Sequence, residues 1–181
     1  MRFLSLALLP LLAIPAAAQT TPTTDLGRPA TAEQIQAWDI AVGPAGKELP
    51  PGKGTPKEGA AIFSQKCAAC HGSTGEGASE KALVGGQGTL ADLSPKKTIG
   101  SYWPYATTVF DYINRAMPRF QEGSLSPAEV YSVTAYLLWR NGIIGENEVM
   151  DAQSLPKVRM PNRDGFLPAK PQWPVPKQDQ Y

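Results

Sequence analysis

Apolar residues recur at helical spacing in three stretches of the 181-residue chain, and the segments between them show no such period. The first stretch opens on Thr55, Pro56 and Glu58, which read as a cap, a proline at the first helical position and a reciprocal capping partner. Gly59, Phe63 and Cys67 follow one turn apart, so a helix is expected to run to about Cys67. A glycine inside a helix costs about 1 kcal/mol relative to alanine. Close approach of another helix backbone would explain Gly59; the alternative is an incidental early glycine. The second stretch, residues 105–115, places Val109, Tyr112, Ile113 and Ala116 on one face and stops at Met117-Pro118. The third repeats the cap, proline and glutamate device at Ser126, Pro127 and Glu129, carries a buried stripe of Val130, Val133, Tyr136 and Leu137, and stops at Gly142.

The flanks read differently. Residues 1–18 have a basic start at Arg2, an apolar run broken by Pro10 and Pro15, and the small residues Ala16, Ala17 and Ala18, the pattern of a cleaved secretory signal. That run is too short to span a bilayer, and no later segment is apolar enough to do so. Residues 19–54 read as an N-terminal arm: rich in Thr and Pro at first, then a short helix opened by the capping box of Thr31 and Gln34, then an apolar and polar alternation from Trp38 to Val42. Residues 55–145 form the expected domain, and residues 146–181, proline-rich from Pro156, an extended C-terminal tail. Between the first two strong helices, glycines at 72, 75, 77, 85, 86 and 88 mark a loop. The whole is expected to be all-α, one domain with arms.

Charge excludes one class of partner, since 17 basic residues against 16 acidic leave no nucleic-acid footprint. The candidate chemistry is concentrated in one place. Cys67-Ala68-Ala69-Cys70-His71 holds both cysteines and the single histidine of the chain. This is the C-x-x-C-H spacing of covalent c-type haem attachment, with the thiols reaching the vinyl groups and His71 beneath the iron as proximal ligand. A closed zinc site needs a fourth Cys or His that the chain does not have. A thioredoxin-like pair requires a strand-to-helix setting, and a disulfide across so short a loop would stabilise little. One covalent haem c is therefore the expected cofactor. His71 should donate its second ring N–H to a backbone carbonyl, expected near residues 83–86. With no second histidine and no third cysteine, a methionine is the expected sixth ligand: Met117 between two helices, Met160 in the tail as the alternative, Met150 with less context. For each, filling a gap in the core is the competing role.

Gly59-x-x-x-Phe63-x-x-x-Cys67 before the motif, the later Met117-Pro118 and a last helix with Ala135-Tyr136-Leu137 together resemble class I cytochrome c. That resemblance implies an all-helical domain whose first and last helices cross, with Gly59 and Phe63 against Tyr136. The loop at residues 83–86 lacks the proline many relatives carry there. A closer likeness, over residues 38–166, is to the SoxD-type cytochrome subunit of the Sox sulfane/sulfite dehydrogenase. It rests on Trp38-Asp39-Ile40, Leu49-Pro50-Pro51-Gly52, Gly100-Ser101-Tyr102-Trp103-Pro104, Phe110-Asp111-Tyr112-Ile113 and Met160-Pro161-Asn162-Arg163-Asp164-Gly165-Phe166. It implies a periplasmic cytochrome that is no enzyme on its own, takes electrons from a molybdenum dehydrogenase subunit resembling SoxC, and passes them to a downstream cytochrome or oxidase; well-known members carry a second haem domain, whereas the single C-x-x-C-H here makes a monohaem version the expectation. Two alternatives stand beside it: service to another periplasmic dehydrogenase, and catalysis at an open distal haem position. A docking subunit using Trp38, Trp103, Trp139 and the tail is a third class, although such aromatics more often anchor a core.

Overall fold

The structure, a computed structural model, describes residues 27–167, so the expected signal segment lies outside the described residues. Its helices are α1 (Ala32–Trp38), α2 (Pro56–Lys66), α3 (Ala68–His71), α4 (Ala106–Ala116) and α5 (Pro127–Arg140). A two-residue antiparallel ladder joins β1 (Lys53–Gly54) to β2 (Met150–Asp151), pairing Gly54 with Met150. Thr31, Thr55 and Ser126 each close a reciprocal capping box with the residue three positions on. Two backbone donors that the first helical turn would leave unpaired are thereby satisfied at each of these starts.

α2 and α5 cross at Gly59. A Cβ there would lie 2.7 Å from the Tyr136 Cβ and closer still to the Ser132 carbonyl, so only glycine admits the two backbones at this separation. One turn on, the Phe63 and Tyr136 rings meet with centroids 5.1 Å apart. Lys66 and Glu129 pair at 3.0 Å across the same crossing.

The expected stripe on α5 is instead a sleeve, because every residue from 130 to 138 is buried. The reason lies in the segments read as arms. Residues after α1 run back over α5, where the Tyr131 hydroxyl donates to the Pro50 carbonyl at 2.9 Å and Phe110 packs on the Tyr131 ring at 4.5 Å. Beyond the expected domain limit, Met150, Leu155 and Met160 are all buried in the same core. Asn162 closes the wrap by donating to the Tyr102 carbonyl at 2.7 Å. At the N-terminal side, the Val42 N–H donates to Asp111 Oδ1 at 2.8 Å, and Arg115 grips both oxygens of that carboxylate at 2.9 and 2.7 Å. Burial raises the Asp111 pKa, but these hydrogen bonds outweigh it and hold the group below the usual carboxylate range. α1 alone stands off the body, with no buried residue and Trp38 87% exposed. Among the described residues, no helix is long and apolar enough to cross a membrane.

Candidate functional site

Cys67 ends α2 and starts α3, where a backbone break at φ −127°, ψ −34° turns the chain. One helical turn then carries Ala68, Ala69, Cys70 and His71, with Gly72 leaving it at φ +84°. The two cysteines are not joined in a disulfide; Cys70 is exposed and Cys67 half-buried. Burial pushes the Cys67 thiol up to about 11, against a smaller opposing pull from the Lys66 ammonium.

The loop after His71 folds back beneath the motif. Gly77 N–H donates to the His71 carbonyl at 2.7 Å, and Glu80 N–H to the Cys70 carbonyl at 2.9 Å. These two bonds return the chain so early that the carbonyl facing the imidazole is that of Lys81, 3.0 Å from His71 Nδ1. The carbonyl expected at residues 83–86 is therefore supplied two residues sooner. With Nδ1 donating to Lys81, Nε2 is left free to act as a ligand.

Met117 caps the far end of α4 in an extended conformation, φ −130° and ψ 150°, as expected for a residue before proline. It lines the same space as the motif. Two adjoining cavities of about 560 and 320 Å³ both have His71 and Met117 in their walls, and the larger also has Cys67 and Cys70. Leu83, Tyr112, Ile113 and Leu137 are shared by both, and Phe63 and Val133 complete the apolar side of the larger. The structure does not bring the other methionines here: Met150 lies in β2 and Met160 in the tail, each no more than 2% exposed and packed in the core. At the cavity mouth, Arg119 pairs with Glu80 at 3.4 Å, linking the segment after Met117 to the loop beneath His71. Trp103 also lines the smaller cavity, edge-on to Tyr112 at 5.7 Å. Sequence reasoning placed Trp103 only as a core anchor or contact surface, since nothing in its spacing relates it to residues some thirty positions earlier.

These residues fit a haem. An apolar slot of this size, two thiols at one edge and an imidazole and a thioether in its walls form a donor set suited to iron in a macrocycle. Among the described residues, no group of three or more His, Cys, Asp or Glu could hold a bare metal ion.

Residues 54–137 match the family model described as cytochrome c oxidase, cbb3-type, subunit III. A chain in the crystal structure of the sulfane dehydrogenase SoxCD from Paracoccus pantotrophus superimposes with a TM-score of 0.77 at 43% identity, over 87% of this chain and 76% of that one. The chain belongs to the cytochrome c family. Its fold is that of the cytochrome c class, and its cofactor type, haem c, follows from membership. A further relative of this cytochrome is the thiosulfate dehydrogenase of Stutzerimonas stutzeri (strain A1501), 32% identical over 113 residues. That match covers 55% of this cytochrome and 35% of the relative, so the cytochrome corresponds to about a third of that protein's length.

Proposed function

We propose that this cytochrome carries one haem, bound through thioethers to Cys67 and Cys70, with His71 and Met117 as axial ligands, and serves as the electron-accepting subunit of a periplasmic molybdenum-dependent sulfane dehydrogenase. The observation that supports the ligand set is the convergence of the four side chains on one apolar cavity. The partner is supported by the 43% identity to a chain of SoxCD, which extends beyond the haem domain into both flanking segments. The secretory pattern of residues 1–18 agrees with export.

Bound haem supplies a one-electron ferric/ferrous couple. The chain's own residues set the conditions for it. Phe63, Val133 and Leu137 give the slot an apolar wall. His71 is held in one tautomer by Lys81, and Met117 offers a thioether, which favours the ferrous state. Electrons are expected to pass on to a downstream cytochrome or oxidase.

The likeness to a thiosulfate dehydrogenase favours a second reading, catalysis at the haem itself. It would require an open sixth position and an acid-base group beside it, and every His and Cys of the chain is already within residues 67–71. One experiment separates the two. The holoprotein is mixed with reduced SoxC-type dehydrogenase and, separately, with carbon monoxide after chemical reduction. Rapid reduction by the dehydrogenase and no carbon monoxide adduct support the carrier reading. A carbon monoxide adduct together with thiosulfate oxidation by the cytochrome alone supports catalysis.

A further inference from the structure

The loop that presents the Lys81 carbonyl to His71 is fastened to the end of the molecule's central helix through the side chain of Asn141. Asn141 caps α5 and is 8% exposed. Its Oδ1 accepts from the Gly85 N–H at 3.0 Å, while its Nδ2 donates to the Leu83 carbonyl at 3.2 Å and the Leu137 carbonyl at 2.8 Å. Its own carbonyl accepts from Gln87 Nε2 at 3.0 Å. The reverse orientation of the amide would set its oxygen against two carbonyls and its NH₂ against an N–H, so these partners fix its direction. The position admits little else. A Cβ at Gly100 would sit 2.7 Å from the Asn141 side-chain carbon, and Thr98 Oγ1 bonds the Gly85 carbonyl from the opposite side.

We propose that Asn141 is a positioning residue for the proximal histidine, holding residues 83–85 so that the Lys81 carbonyl stays aimed at His71 Nδ1. Leu83 is two residues from Lys81, and its carbonyl takes both Asn141 Nδ2 and the Ile99 N–H, which fixes the peptide plane on two sides. Leu137, one turn before Asn141, itself lines the slot, so α5 sets the cavity wall and, through Asn141, the loop beneath the ligand. A hydrogen bond from the ring N–H makes an axial imidazole more basic and favours ferric iron. Loosening the loop weakens that bond, which raises the midpoint potential and exposes the ring proton.

This inference rests on His71 being the axial ligand, which His71→Ala tests separately by loss of the low-spin haem spectrum. The inference itself is tested in the holoprotein with Asn141→Leu, which keeps the branching and heavy-atom count of the side chain, though it is bulkier, and removes all three side-chain hydrogen bonds. Two quantities are read: the midpoint potential, and the solvent exchange rate of the His71 ring N–H by proton NMR of the reduced protein. Leu138→Ala, a buried change on α5 outside the cavity walls, is the control for lost stability. The expected result is a raised potential and severalfold faster exchange in Asn141→Leu, with neither changed in Leu138→Ala at a similar loss of thermal stability. Thr98→Val, which releases the Gly85 carbonyl from the other side, should move both quantities in the same direction by less. If Asn141→Leu does not fold, Asn141→Ala and Thr98→Val decide the matter. Unchanged potential and exchange in variants that lose only stability would overturn the proposal.

Discussion

Glu76, in the turn that follows His71, collects hydrogen bonds from Thr74 N–H at 2.7 Å, Thr74 Oγ1 at 2.9 Å and Ser73 Oγ at 3.2 Å. Backbone N–H donors, its own first and that of Thr74 next, hold its carboxyl down at about 2, from an ordinary value of 4.5. A carboxylate with a lowered folded-state pKa stabilises the fold above its unfolded pKa and loses that contribution as pH falls through the folded one. Glu76→Gln should therefore remove part of the acid sensitivity between pH 4.5 and about 2, seen as a flatter melting temperature against pH over that window. Met117 offers a second test on the same scale. Met117→Ala should abolish the weak sulfur-to-iron charge-transfer band of Met-ligated ferric haem and admit carbon monoxide, and Met160→Ala should keep the band; the reverse pattern moves the ligand to Met160. The motif at residues 67–71 was readable because its chemistry is local to five positions. Asn141 was not, because an asparagine at the end of a helix looks the same in sequence whether it meets solvent or a loop more than fifty positions away.

At the scale of elements, the crossing of α2 and α5 depends on the missing side chain of Gly59. Gly59→Ala would press a methyl group into the Ser132 carbonyl, which belongs to backbone and cannot swing aside. Overpacking of this kind costs about 1–3 kcal/mol, and contact with backbone puts this site at the upper end. The expected outcome is a lower denaturation midpoint with an unchanged slope in urea; an unchanged midpoint would show that the helices can separate without loss. The capping boxes at Thr55 and Ser126 are legible in the sequence, since cap, proline and glutamate lie within four residues. Burial on every side of α5 is not, because the helix's own period shows only which face is most apolar. Part of what covers the remaining faces comes from Pro50 and from β2, where Met150 lies, segments that carry no period of their own.

Over the whole molecule, the short ladder between β1 and β2 and the buried Met160 make the segments on either side of the haem domain part of one core. α1 is the exception, and the two cases predict opposite results from truncation. Removing the chain up to residue 40 should leave thermal stability nearly unchanged, because α1 buries no residue. Removing it up to residue 54 should destabilise strongly, since it takes away the Val42 donor to Asp111, the Pro50 acceptor for Tyr131 and one strand of the ladder. Circular dichroism melts of the two truncated forms would distinguish these outcomes.

The enclosure of α5 also has a consequence for timing. A chain that emerges from its N-terminus presents Cys67 and Cys70 well before α5 exists, and the core takes in Met160 only later still. Contacts between residues so far apart in sequence slow the folding of a chain. Until then the two thiols stand on an open, hydrated strand, and the Cys67 sulfur has not yet met the burial that makes it a weaker acid. On the attachment proposed above, maturation would have a natural interval: the two thioether bonds could be made while the vessel is still unsealed, and the closing of the last segments afterwards would shut the finished site.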